Sequence, residues 1–176
     1  MILIVDMTHK DLGFYEFVLP ICKIVEVLEV YEVKHYTEVE KIEHEKVILS
    51  GAALKDNEYL KNMESFEWLK TCSVPVLGIC AGMQVIGLGF NSLLISCKEI
   101  GMTEVKTVRE NPLFSLTFPA YELHNYGIDP SDDFEVLAVS ERCIQGIKHK
   151  ERDIYGVLFH PEVRNKDIIN RFILHI

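Results

Sequence analysis

Glutamine is almost missing from this chain of 176 residues, where only Gln84 and Gln145 represent it. With Lys, Glu and Ile abundant, that scarcity is the bias of a heat-adapted chain. No run of about 18 apolar residues exists, which excludes a helical membrane span. The opening Met1-Ile2-Leu3-Ile4-Val5 is quickly followed by Asp6, so it reads as a first buried strand and not as a secretory signal. The five cysteines are odd in number and include no C-x-x-C pair, so neither a disulfide framework nor a zinc site is indicated. Cys22, Cys72, Cys97 and Cys143 read as small buried hydrophobes. His9, His35, His44, His149 and His175 lack ligand-like spacing, and no metal or cofactor is expected. A net charge of −9 without a basic cluster excludes nucleic acid as a partner. A reduced, cytoplasmic setting suits a working thiol.

What is present is an alternation of short apolar runs with amphipathic stretches, in a length that suits one domain, 1–176. Strands are predicted at Ile2–Asp6, Val30–His35, Lys46–Ser50 and Val74–Ile79. Helices are predicted over Phe14–Leu28, with Pro20 in its middle, over Glu58–Thr71 and over Met83–Phe90. That order predicts an α/β fold with a mostly parallel, flavodoxin-like central sheet flanked by helices. From about Ser92 to Val157 the pattern changes to strand-like pieces. Turn signals at Glu110-Asn111-Pro112 and Asp129–Asp133 predict antiparallel hairpins at one edge.

The chemistry concentrates in two short segments. Val76-Leu77-Gly78-Ile79-Cys80-Ala81-Gly82-Met83-Gln84 places one cysteine between glycines where a strand turns sharply into a helix. This is the thiol form of the G-x-S-x-G nucleophile elbow. The glycines are needed because a Cβ beside the strained turn would strike the adjoining strand and helix. The following helix aims its free N–H groups and positive dipole end at the sulfur. Read blandly, the same segment is a buried cysteine in a glycine-rich core turn. Far downstream, Tyr155-Gly156-Val157-Leu158-Phe159-His160-Pro161-Glu162 supplies a base and its orienting carboxylate. At i and i+2 in an extended segment both side chains lie on one side, and Pro161 stiffens the pair. Cys80, His160 and Glu162 together specify a nucleophilic triad. Open α/β sheets carry their sites beyond the carboxyl ends of the strands, where Gly51, Cys80 and His160 each fall.

Together these residues resemble the class I (triad type) glutamine amidotransferases, whose signatures are a G-x-C-x-G-[HM]-Q elbow and a G-V-x-F-H-P-E strand end. Val47-Ile48-Leu49-Ser50-Gly51-Ala52 is similar to the family's third-strand segment. Phe134–Val163 resembles the archaeal-type glutaminase subunit of GMP synthase. The resemblance implies that Cys80 forms a γ-glutamyl thioester and that the backbone N–H groups of Ala52 and Ala81 make the oxyanion hole. It implies that Gly51, Gln84, His124, Asn125 and Tyr126 bind glutamine. It assigns Met83 to packing under the elbow. It also implies a synthetase partner that receives the ammonia, most plausibly the ATP-pyrophosphatase half of GMP synthase, since no G-x-x-x-x-G-K-[ST] phosphate loop is present here.

Two departures from the family pattern matter. Gly51-Ala52-Ala53 stands where most members have Gly-Gly-Pro, and an alanine keeps a usable donor only if its φ is negative. Asp6–Phe14 differs from the D-x-G-G-Q-like turn of GMP synthase subunits. These departures leave open a paralogue serving another acceptor, a stand-alone γ-glutamyl hydrolase, or a non-catalytic regulatory relative.

Overall fold

The computed structural model describes residues Met1–Ile176. The strands are β1 (Ile2–Asp6), β2 (Tyr31–His35), β3 (Lys46–Leu49), β4 (Val76–Ile79), β5 (Leu93–Thr107), β6 (Thr117–Asp129), β7 (Phe134–Val139), β8 (Ile144–His149) and β9 (Ile154–Val157). They form one sheet in the order β2-β1-β3-β4-β9-β8-β7-β5-β6. The first five in that order are parallel, and the remaining four run antiparallel to their neighbours. The parallel part therefore has the flavodoxin-like order, and the hairpins occupy one edge, as predicted.

Alternation along the parallel strands feeds two cores. Leu3, Val5, Val47 and Leu49 enter one apolar cluster, whereas Ile2, Ile4 and Ile48 enter the other. Such two-sided burial is why these strands read as continuous apolar runs. The first face is covered by the helix α3 (Ala81–Gly89), and the second by α2 (Leu19–Val25) and the C-terminal α4 (Asp167–His175). The last of these is not among the predicted helices. Its signal was Ile168, Ile169, Phe172 and Ile173, an apolar stripe at helical spacing that is buried.

Two helical predictions need correction. The helix predicted over Phe14–Leu28 begins earlier, with α1 (Asp11–Gly13), and ends at Val25. Between α1 and α2, Phe14–Val18 form a π turn, closed by Leu19 N–H donating to the Phe14 carbonyl. Pro20 has no N–H to give the preceding turn, and the wider π turn accommodates that gap. The helix predicted over Glu58–Thr71 is instead two 3-10 segments, Glu58–Lys61 and Met63–Lys70. Asn62 is the cause. Its side-chain Nδ2 donates to the Glu58 carbonyl at 2.8 Å, the acceptor an α-helix would reserve for its backbone N–H. That N–H turns to Tyr59 at i−3 instead.

The cysteine reading is also corrected. Cys97 and Cys143 are joined in a disulfide across 46 residues, linking β5 to the turn before β8. The pairing is made by the antiparallel edge and has no local spacing signature, so a count of cysteines did not reveal it.

Candidate active site

The site is assembled from the carboxyl ends of β3, β4 and β9. Cys80 follows β4 at φ 49° and ψ −101°, an unfavourable conformation for a residue with a Cβ. Its N–H is held by the Val157 carbonyl at 2.8 Å, which locks the elbow onto the neighbouring strand. The flanking glycines have the steric role predicted for them. A Cβ on Gly78 would lie 2.5 Å from the Gly82 backbone, and one on Gly82 would lie 2.7 Å from Leu49. Met83 is buried beneath the elbow against Gly156, where a Cβ would strike its side chain.

His160 and Glu162 are buried and joined through Nδ1 and Oε1 at 2.7 Å. The His160 N–H donates to the Tyr121 carbonyl at 2.9 Å, and Phe17 packs its ring 5.5 Å from the imidazole. Gly51 closes the other side. A Cβ there would approach His160 Cε1 to 2.6 Å, so the base can sit over the third-strand turn only because that residue is glycine. Burial opposes the imidazolium of His160, but Glu162 and then the Cys80 sulfur outweigh it. They hold the histidine's pKa well above its usual value. Its Nε2 has no hydrogen-bond partner, which leaves that nitrogen available for proton transfer.

Both predicted oxyanion donors are in usable states. Ala81 is the first residue of α3, so its N–H has no partner within the helix. The Ala52 N–H makes no hydrogen bond to protein, and Ala52 lies outside the positive-φ set. The Gly-to-Ala departure at this turn therefore costs no backbone strain. Ser50, missed from the sequence, supports the turn by accepting the Met7 N–H and donating to the Gly51 carbonyl.

The predicted substrate residues divide. Asn125 lies at the site and donates through Nδ2 to the Leu54 carbonyl at 3.1 Å, tying β6 to the loop after Ala52. Gln84 is buried with both amide ends engaged. It accepts from the Tyr59 hydroxyl at 2.6 Å and donates to the Tyr126 carbonyl at 3.1 Å. His124 must be corrected. Leu123 presents its carbonyl to the Cys80 sulfur at 3.7 Å, whereas Glu122 and His124 alternate to the opposite side of β6. The His124 side chain is wholly enclosed, bonded to the Cys97 carbonyl and Glu122. It is not placed to grip glutamine. The widest surface groove, about 840 Å³, runs past Glu99, Glu104 and Ser140 and shares no residue with the triad.

Comparison with known proteins agrees with this geometry. The family described as glutamine amidotransferase class-I matches residues 21–174. The glutamine-hydrolysing GMP synthase subunit of Thermoplasma acidophilum is 35% identical over 139 residues, covering 72% of this chain and 70% of that one. The subunit of the same name from Methanocaldococcus jannaschii is 34% identical over 152 residues, covering 80% and 79%. Among solved structures, a GMP synthase subunit from Thermoplasma acidophilum superposes with a TM-score of 0.87 at 29% identity, over 98% of this chain and 91% of that one.

Proposed function

This chain belongs to the class I glutamine amidotransferase family, and we propose that it is the glutamine-hydrolysing subunit of a two-chain GMP synthase, delivering ammonia to a separate ATP-using synthetase chain. The observation that carries the activity is the strained Cys80 beside the buried His160–Glu162 pair. The similarity to subunits named for GMP synthase supports the acceptor. A longer glutamine-hydrolysing GMP synthase from Caldanaerobacter subterraneus matches 79% of this chain but only 29% of its own length. The continuous nine-stranded sheet supports reading 1–176 as one amidotransferase domain. No helix is long and apolar enough to cross a membrane, and a thiol nucleophile suits a cytoplasmic setting.

In the proposed reaction, the side-chain carbonyl of glutamine lies between the Ala52 and Ala81 N–H groups. The Cys80 sulfur adds to the carbonyl carbon, and the two donors hold the resulting oxyanion. His160, oriented by Glu162, protonates the departing nitrogen, and ammonia leaves behind a γ-glutamyl thioester. The same histidine then takes a proton from water, which attacks the thioester and releases glutamate and the cysteine sulfur. Gln84, Asn125 and the Tyr126 backbone hold the amino-acid end of glutamine, with Gln84 exchanging a protein partner for substrate. Cys80 is only 3% exposed and His160 is fully buried. Entry therefore needs the Leu123–Asn125 stretch to part from the Ala52–Leu54 loop, breaking the Asn125–Leu54 bond.

Intact mass after exposure to an electrophilic diazo-ketone analogue of glutamine, with and without the ATP-using chain of a GMP synthase, tests the reading. A single adduct on Cys80, absent from Cys80→Ala, is expected, together with glutamine hydrolysis that rises with the partner. No adduct under either condition would overturn the enzyme reading. Partner-independent turnover of γ-glutamyl compounds larger than glutamine would replace it with a stand-alone hydrolase.

A further inference from the structure

On the face of β6 away from the nucleophile, the chain builds a second buried polar cluster that glutamine hydrolysis does not use. A bulge in β5 shifts the register between Ser96 and Glu99, so that Glu99 stands opposite His124. His124 Nδ1 lies 2.8 Å from the Cys97 carbonyl, which can only accept, so Nδ1 carries a proton. The other ring nitrogen, Nε2, faces Glu122 Oε2 at 3.0 Å and Glu99 Oε2 at 3.5 Å. Two carboxylates thus share one imidazole, and neither forms an ion pair with a lysine or arginine. Glu99 is further held by Ser140 Oγ at 2.8 Å and Gln145 Nε2 at 2.6 Å.

The cluster is incompletely satisfied. Glu122 and Gln145 are completely buried, yet Glu122 Oε1 and Gln145 Oε1 have no hydrogen-bond partner. Buried oxygen atoms of this kind need an explanation, and an ion is one of the few available. A ligand atom from each of Glu99, His124 and Cys143 lies within 4.8 Å of the others. Glu99 and Ser140 also line the 840 Å³ surface groove, which gives solvent a way in.

We propose that Glu99, Glu122, His124 and Cys143 form a redox-gated site for a zinc-class divalent cation. In the disulfide, the Cys143 sulfur is committed to Cys97 and cannot serve as a thiolate ligand. A dithiol reductant supplies two electrons and two protons, giving two thiols while its own sulfurs close into a disulfide. The entering cation then displaces the proton of Cys143 to solvent and takes the lone pair of His124 Nε2. Cys97 fixes the histidine through its carbonyl, the outer-shell contact that orients a metal-bound imidazole. Thiolate, imidazole and carboxylate donors together suit zinc or cobalt over magnesium or calcium. The site is independent of the glutaminase reading.

The test uses the full chain carrying Cys80→Ala, so that the nucleophile cannot bind metal. It is titrated with cobalt(II) after phosphine reduction and, separately, in the oxidised form. Reduced protein is expected to take up one equivalent, with a thiolate-to-cobalt charge-transfer band in the near ultraviolet that zinc abolishes. The oxidised form should bind at least about ten-fold more weakly and lack the band. Cys143→Ser should lose the band, and His124→Asn should weaken binding at least about ten-fold. The proposal is overturned if reduced protein binds no cobalt, if oxidation changes nothing, or if the band survives Cys143→Ser. The comparison of reduced with oxidised protein does not depend on those two variants folding.

Discussion

The molecule contains two buried histidine–glutamate pairs at the same two-residue spacing, and they do different work. His160 and Glu162 extend from the end of a parallel strand, while Glu122 and His124 lie inside an antiparallel one. Both make one short contact, at 2.7 and 3.0 Å respectively. The spacing alone does no more than put two side chains on one side of an extended backbone. What separates the pairs is the environment of the second ring nitrogen. His160 Nε2 has no hydrogen-bond partner and lies under the influence of the Cys80 sulfur, with glycine clearing the space around it. His124 Nε2 is directed at two carboxylates beside a disulfide. One pair is poised to move a proton, and the other to share a cation.

The largest effect should come from breaking the first pair and sparing the second. His160→Asn should lower glutamine turnover by roughly 10⁵-fold or more, as loss of a triad base does. His124→Asn, with the same chemical change, should leave turnover per folded molecule within about ten-fold, because a 1–3 kcal/mol loss at a buried hydrogen bond falls on stability. Steady-state glutaminase assays corrected for folded fraction would decide. Equal losses in the two variants would collapse the distinction and return His124 to the glutamine site.

Glu162→Gln comes next, at roughly 10³–10⁴-fold in turnover, and it carries a pH signature. The native state binds the His160 proton more tightly than the unfolded chain does, since the pKa is raised in the fold. The ion pair's contribution to stability is therefore complete below about pH 6.5 and is lost as pH rises through the native pKa. Removing Glu162 takes away the main influence that raises it. Urea unfolding followed from neutral to alkaline pH should show a falling stability in the wild type and a flatter profile in Glu162→Gln. Imidazole resonances assigned to His160 should titrate at lower pH in the variant.

Gly51→Ala probes the space around the first pair without touching its charges. The added carbon meets His160 Cε1 at 2.6 Å, and displacing a base by about 1 Å costs on the order of 10²-fold in rate. The loss should appear in kcat. An alanine at Gly101, where φ is +95° but nothing lies within 4 Å, should leave kcat unchanged while costing stability.

The contrast also explains what could be read from the sequence. The parallel half was legible because each strand is short, apolar and buried on both faces, and each catalytic residue sits at a strand end in a motif of a few residues. The elbow glycines at 78 and 82 could be anticipated from sterics alone, and their close contacts agree. At Ala52 the substitution raised a question about φ that only the backbone could answer. The second cluster was not legible. Glu99, Glu122, His124 and Cys143 come from β5, β6 and a turn, and they meet through a bulge that no local pattern announces. Glu58–Thr71 misled because the apolar spacing is helical, while one asparagine side chain takes a carbonyl the helix would need. Tyr59 gave no signal either, yet its hydroxyl holds Gln84.

That last contact gives the smallest of the expected effects. Tyr59 is buried, and burial raises its hydroxyl far above the normal phenol pKa, so it stays a neutral donor throughout the working range. Tyr59→Phe removes the donor and leaves Gln84 Oε1 without its partner in an enclosed site. An unsatisfied buried acceptor of this kind costs about 1–3 kcal/mol, and the loss should appear as a lower urea midpoint with an unchanged m-value. The kinetic consequence runs the other way if Gln84 exchanges a protein partner for glutamine. With its Tyr59 bond already absent, Gln84 has less to give up when substrate arrives, so KM should fall or hold while stability drops. A rise in KM matching the stability loss would mean that Tyr59 preorganises Gln84 for substrate, and that Gln84 binds glutamine without leaving its resting partners.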